Sequence, residues 1–360
     1  GDPSCFGQQT LNTPNLDQMA ATGLRLTNHY AGSTVCAPSR CVLMTGMHTG
    51  HCTVRTNGNE MLGKDDVTVA QVLKQAGYRT GCIGKWGVGR PGLTDPNDQG
   101  FDYFYGFLAG EDSQYEPMLF ENTNPINPPH HPKYHLTEDM AEKAIDWMRT
   151  SNTISPGKPF FMYFTPGAVH GPHQIFEEWV EKYDGKFDEG WEVLREMTFE
   201  KQKEMGWIPE DAVLNPLAKG MQKWSDVPES QKEFQIRLME IYAGFLEHTD
   251  VQYGKVVDEL ENQGLLENTL IIYINSDNGP SAEGMNGTIS ELLAQNGMPS
   301  TVEQQLEVLD RDYGGLEALG GPKLENMYHH GWAYSGASPF QGTKLVAAQF
   351  GGTRTPLVIS

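Results

Sequence analysis

The chain has 360 residues, with 26 Lys and Arg against 47 Asp and Glu for a formal net charge of −21, the size of one large domain or two small ones. Hydrophobic residues make up 38% and aromatic residues 10%, enough to close a core and far from the composition of disordered or collagen-like chains. The negative field of the whole molecule repels phosphate backbones and no local basic stripe offsets it, so nucleic acid is not an expected partner. No run of about 18 apolar residues is present, so no membrane span is expected.

Both ends read as internal to a longer sequence. The chain opens on Gly1-Asp2-Pro3-Ser4-Cys5 without a leader pattern and closes on a β-branched run over 355–360 without a turn signal. A Thr-Pro step predicts a short helix over 15–22, and alternation predicts a strand over 24–30. Over 66–76, Val67, Ala70, Val72 and Leu73 share one helical face that stops at Gly77, and 79–83 reads as a buried strand. A helix over 137–148 takes Thr137 as its N-cap, with Met140, Ala144, Ile145 and Met148 inward. The apolar run 159–164 has the look of a central parallel strand.

Residues 174–230 are charged and Trp-bearing, with helical period over 191–203, and are expected to form a helical insertion over one face. Ile241, Phe245, Val256, Val257 and Leu260 recur at helical spacing in 235–262, up to Gly264. The strongest strand signal, 269–274, runs into Asn275-Ser276-Asp277-Asn278-Gly279. This alternation predicts an α/β layered fold, and no repeat or linker divides the chain, so 1–360 reads as a single domain. Loops at the carboxyl ends of strands hold ligands in such folds, which directs attention to the segments after Ile83, Phe164 and Ile274.

Cysteines stand at 5, 36, 41, 52 and 82, an odd number with no C-x-x-C pair, which argues against zinc-ribbon and thioredoxin-like readings. Most are expected to be small buried hydrophobes, and a redox or disulfide-scaffold role ranks last. Cys36 opens Cys36-Ala37-Pro38-Ser39-Arg40-Cys41-Val42-Leu43-Met44-Thr45-Gly46. Pro38 fits the first turn of a helix, which puts residue 36 at a helix N-terminus, where an anion is favoured, and Arg40 one turn further on.

The whole run matches C-x-P-S-R-x-x-L-x-T-G and resembles the active-site motif of the sulfatase family, whose Cys is oxidised after translation to formylglycine. Further along, Gly84-Lys85-Trp86-Gly87-Val88-Gly89 is similar to the family's G-K-W segment and Ser276-Asp277-Asn278-Gly279 to its metal-binding S-D-N-G. His170, within Gly167-Ala168-Val169-His170-Gly171-Pro172-His173, matches a substrate-side His. Phe340-Gln341-Gly342-Thr343-Lys344 through Phe350-Gly351-Gly352-Thr353-Arg354 is similar to the lysine-bearing segment of bacterial arylsulfatases.

The resemblance implies an alkaline-phosphatase-like sandwich with a mostly parallel central sheet flanked by helices, truncated at both ends. It implies hydrolysis of sulfate monoesters. A gem-diol at position 36 would attack sulfur through one oxygen, and the other would later expel sulfate. Ca²⁺ or Mg²⁺ would be held by residue 36, Asp277 and Asn278, and Asp277 would assist the diol as base. Arg40, Lys85 and Lys344 would surround the sulfate, with His170 the acid toward the leaving oxygen and His173 the alternative. The implied partners are a small sulfate ester and a formylglycine-generating enzyme, and the implied location is periplasmic or secreted.

The bland readings are also physical: Lys85 as solvated surface, Asp277-Asn278-Gly279 as an ordinary turn, and His248, His329 and His330 as surface or rim residues. Trp86, Tyr103, Tyr105 and Tyr115 suit either an aryl pocket or the core.

Three departures from the family stand out. Set against the family, the chain is expected to lack the Asp pair that stands upstream of the glycine corresponding to Gly1 and the C-terminal small sheet, and Gly87 stands where many members have His. His48 and His51 are candidates for the role left open at Gly87. The competing functions are a phosphonate or phosphate-ester hydrolase of the same fold and an inactive truncated homologue that binds anions.

Overall fold

The computed structural model describes residues 2–58, 60–298 and 300–360. Strands are β1 (Leu24–Leu26), β2 (Arg79–Lys85), β3 (Tyr103–Phe107), β4 (Leu119–Glu121), β5 (Asn124–Ile126), β6 (Phe160–Thr165), β7 (Ile272–Ile274) and β8 (Leu357–Ile359). The helices are α1 (Pro14–Thr22), α2 (Cys36–Thr45), α3 (Val69–Gln75), α4 (Leu136–Ile154), α5 (Glu177–Val180), α6 (Gly190–Glu204), α7 (Glu229–Asn262), α8 (Glu291–Gln295), α9 (Val302–Val308) and α10 (His330–Gly336). The architecture is α/β, as expected. It divides into two compact units: Gly1–Tyr30, Ala168–Val251 and Leu270–Ser360 form the first, and Ala31–Gly167 with Gln252–Thr269 the second.

In the second unit a five-stranded sheet runs β5-β4-β3-β2-β6. β2 pairs in parallel on both sides, Ile83 standing opposite Tyr105 of β3 and Phe164 of β6. β4 and β5 add antiparallel pairings, joined at a tight turn where Asn122 has a φ of 52°. The sheet is therefore mixed where a mostly parallel one was expected, because a short reversal after β4 can only give antiparallel neighbours. β6 is an edge strand among the described residues, and five of its six residues are half-buried. Its apolar run reads like a central strand, but hydrophobicity does not say on how many sides a strand is paired.

Helix starts in this unit follow their caps. α3 begins at Val69 because Thr68 and Gln71 form a reciprocal capping box. α4 is capped by His135 rather than Thr137: the His135 ring accepts from the Thr137 N–H at 3.3 Å, while the Thr137 hydroxyl donates to Gln114 Oε1 at 2.9 Å. Cys41, Cys52, Cys82, Trp86 and Phe104 are part of this unit's core.

In the first unit β1 and β7 both pair antiparallel with β8. The predicted strands over 24–30 and 269–274 shorten to three residues each, since β8 offers only three to pair with. A larger helical core gathers Tyr183, Trp191, Phe234, Phe245 and Trp332. His248 and His329 are buried here, against the expectation of surface or rim positions, and His330 is half-buried. His329 stacks on Trp191 with centroids 4.3 Å apart and planes at 6°, and its Nδ1 accepts the Gly331 N–H at 2.9 Å at the start of α10. His248 meets Trp179 edge-on at 5.1 Å. An imidazole offers both a flat apolar face and a polar edge, which lets it serve as core.

All five cysteines are free. Burial pushes the Cys41 thiol up to about 11 and the Cys5 thiol, with Asp17 beside it, up to about 12. No described helix is long and apolar enough to cross a membrane.

Candidate active-site residues

Cys36, Arg40 and Lys85 meet within the second unit. Cys36 is the first residue of α2, with Pro38 in the first turn, where its missing N–H costs no helical bond. Asn57, which sequence reasoning did not single out, bridges this end: its amide donates to Cys36 Sγ at 3.2 Å, and its Oδ1 accepts the Ala37 N–H at 2.9 Å. Four residues along, on the same helical face, lies Arg40. Its Nη1 donates to the Lys85 carbonyl at 2.8 Å, to Thr165 Oγ1 at 3.0 Å and to Tyr163 Oη at 3.3 Å.

One guanidinium thus ties α2 to the carboxyl ends of the parallel neighbours β2 and β6. The Lys85 side chain is not solvated surface, since the residue is 2% exposed. Gly87 has a φ of +74°, and a Cβ there would lie 3.3 Å from Lys85 Cε and 3.4 Å from Arg40 Cδ. A side chain at this position would therefore stand beside the two cations, where the family His was expected. His48 and His51 are exposed and follow the C-terminal end of α2. Trp86 and Tyr105 are 0% and 1% exposed and belong to the core, not to an open aryl pocket.

Asp277, Asn278, His170 and Lys344 belong to the first unit. The S-D-N-G loop follows β7 and is clamped to the C-terminal segment: Gly279 N–H donates to the Gly352 carbonyl at 2.9 Å, and Lys344 N–H to the Pro280 carbonyl at 2.9 Å. A Cβ on Gly279 would lie 1.8 Å from the Gly351 carbonyl oxygen, so only glycine admits this approach. Asn278 is 5% exposed. Its Nδ2 donates to the Gly279 carbonyl at 2.9 Å, while its buried Oδ1 has no hydrogen-bond partner. An orphaned buried amide oxygen costs on the order of 1–3 kcal/mol, and a hard cation satisfies it, so the loop suits an oxygen-ligated metal.

Lys344 Nζ lies 3.2 Å from His170 Nε2, and His170 Nδ1 lies 2.9 Å from the Gly171 carbonyl. Glu283, also missed in the sequence, accepts a hydrogen bond from the Lys344 ammonium. His173, the alternative to His170, is 0% exposed between Tyr242 and Tyr328, at 5.1 and 4.8 Å, and neither ring nitrogen has a partner. Burial pulls its pKa down to about 3, which leaves it a neutral core residue.

The Sulfatase family profile matches residues 1–360. An uncharacterized sulfatase of Schizosaccharomyces pombe is 31% identical over 390 residues, covering 99% of this chain and 67% of that protein. The Arylsulfatase of Klebsiella aerogenes is 27% identical over 305 residues, covering 79% of this chain and 64% of the relative. This chain thus spans about two thirds of the length of these relatives. The crystal structure of Ps i-CgsB in complex with k-i-k-neocarrahexaose superposes with a TM-score of 0.62 at 20% identity, covering 99% of this chain and 62% of that one, a likeness of fold.

Proposed function

Because this chain belongs to the sulfatase family, we propose that it is a sulfuric ester hydrolase that acts on small sulfate monoesters through Cys36 converted to formylglycine. The observation that carries the reading is Cys36 on the first turn of α2 with the buried Arg40 one turn along, its guanidinium held at the ends of β2 and β6. A preorganised cation at a helix N-terminus is what a sulfuryl group needs as its charge redistributes.

In this proposal the gem-diol at residue 36 supplies a nucleophile that a thiol cannot replace, since its second oxygen allows sulfate to be released. Asp277 and Asn278 would hold Ca²⁺ or Mg²⁺, with the orphaned Asn278 Oδ1 as one ligand atom. Such a cation neutralises sulfuryl charge and acidifies the diol. Arg40, Lys85 and Lys344 bind the sulfuryl oxygens, and Asp277 takes the proton of the attacking hydroxyl. His170 is the acid toward the leaving oxygen, giving it a proton from Nε2, which the adjacent Lys344 ammonium can supply. Overall one water is consumed: the bond from sulfur to the ester oxygen breaks, the alcohol or phenol leaves protonated, and sulfate follows. Residues 1–360 serve as one catalytic domain with 174–230 as its helical insertion. In this reading a formylglycine-generating enzyme would mature the protein, and the proposed location, by resemblance to exported family members, is the periplasm or outside the cell.

The test is the mass of the tryptic peptide from Leu26 to Arg40 after coexpression with a formylglycine-generating enzyme, followed by kcat/KM toward aryl sulfate and aryl phosphate esters. An aldehyde at residue 36 with sulfate preferred supports the proposal. An unmodified thiol, beside a control sulfatase that is converted, rejects it, and a preference for phosphate reassigns the substrate.

A further inference from the structure

Glu283 has no part in the chemistry above, yet its Oε2 bonds the Lys344 ammonium and accepts the Ser281 hydroxyl at 2.6 Å. The Lys344 side chain is 4% exposed and that of Glu283 20%, so the pair is largely withdrawn from solvent screening. A carbonyl only accepts, so His170 Nδ1 donates to the Gly171 carbonyl, and its Nε2 faces the Lys344 ammonium.

We propose that Glu283 is a positioning residue for Lys344, aligning its ammonium with His170 Nε2 and lowering the affinity of that ammonium for sulfate. The inference rests on the sulfatase reading for the identity of the anion. Two physical effects of the one carboxylate are separable. Its charge opposes an incoming sulfuryl group that would share the Lys344 ammonium, which weakens ground-state binding. Its reach holds a side chain with four rotatable bonds on the line to His170, so the proton is presented in one direction. Ground-state binding that is surrendered while alignment is kept raises KM and sustains kcat.

The experiment uses the full chain with Glu283→Gln and Glu283→Asp, reading inorganic sulfate affinity by calorimetry, and kcat and KM for an aryl sulfate on aldehyde-bearing protein. Removing the charge in Glu283→Gln is expected to tighten sulfate binding roughly three- to tenfold and lower KM, with kcat down about tenfold. Glu283→Asp keeps the charge but is one methylene shorter, so sulfate affinity stays at the parent value while kcat falls. Parent-like or weaker sulfate binding in a folded Glu283→Gln overturns the inference. If that variant does not fold, Glu283→Asp decides: altered sulfate affinity or unchanged kcat overturns it. Sulfate binding that shifts as expected in a parent without aryl-sulfate turnover supports this inference and removes the sulfatase reading. Turnover with no shift does the reverse.

Discussion

Arg40 and Lys85 are joined through the main chain: the Arg40 guanidinium donates to the Lys85 carbonyl oxygen at 2.8 Å, so the helix that carries one cation fixes the strand end that carries the other. Two like charges are thereby held by the scaffold close to one another, and the shared space beside Gly87 shows that their side chains converge. In the proposed reaction this pair would receive the sulfuryl oxygens, whose negative charge offsets the repulsion between the two cations.

Arg40→Lys tests this scaffold. All three bonds leave the one nitrogen Nη1, at the end of a side chain longer than that of lysine, so a lysine ammonium falls short of the Lys85 carbonyl, Thr165 Oγ1 and Tyr163 Oη. We expect a loss of about 1–3 kcal/mol in unfolding free energy, measured by denaturant titration, along with a drop in aryl-sulfate kcat/KM of roughly a hundredfold. Parent stability in the variant would show that these bonds do not anchor α2.

Cys36→Ala separates fold from chemistry. The side chain is small and 7% exposed at the first turn of α2, and the Asn57 amide that donates to its sulfur at 3.2 Å makes only a weak bond there. Thermal melting is expected to change by only a few degrees, whereas turnover falls on the order of a thousandfold or more. Retained turnover at wild-type protein concentration would mean that residue 36 is not the nucleophile.

Asn278→Leu asks whether the orphaned Oδ1 is a cation ligand. With a chelator present, the variant is expected to be as stable as the parent or about 1 kcal/mol more so, because a buried unpaired oxygen has been removed. With millimolar Ca²⁺ the parent gains melting temperature by mass action and the variant does not. Equal Ca²⁺-induced shifts in both proteins count against a metal at this loop.

His173→Phe gives a pH signature. Burial holds the folded His173 pKa near 3, against about 6.5 in an unfolded chain. The unfolded state therefore binds the extra proton between these values, and this contribution to stability is complete above about pH 6.5 and lost as pH falls toward 3. Phe carries no such proton and fills the same place between Tyr242 and Tyr328. The variant's advantage over the parent should be larger at pH 5 than at pH 8 by about 2 kcal/mol, read from urea melts. An advantage independent of pH would show that His173 does not titrate with unfolding.

Several features were legible along the chain. The start of α2 follows from Cys36-Ala37-Pro38, and the stop after Thr45 from Gly46, which takes a φ of 67° and donates to the Val42 carbonyl. β2 and β6 follow from short apolar runs, and the motif residues at their ends lie where an α/β fold presents ligands. Other features were not. The single-sided pairing of β6 among the described residues, the three-residue lengths of β1 and β7 and the antiparallel partners of β8 depend on neighbours far away in sequence. His329 looked like a rim residue because nothing local announces the Trp191 ring that covers it.

The sequence by itself determined the reactive groups and the local geometry around them, since caps, turns and helix faces involve residues within a few positions of one another. The tertiary structure alone decided which charges compensate which. Glu283 and Lys344 are 61 positions apart and His170 and Lys344 are 174 apart, and no periodicity extends over such distances. The charge state, reach and competition of the Lys344 ammonium arise only when folding brings these chain segments together and removes the water that would otherwise screen them.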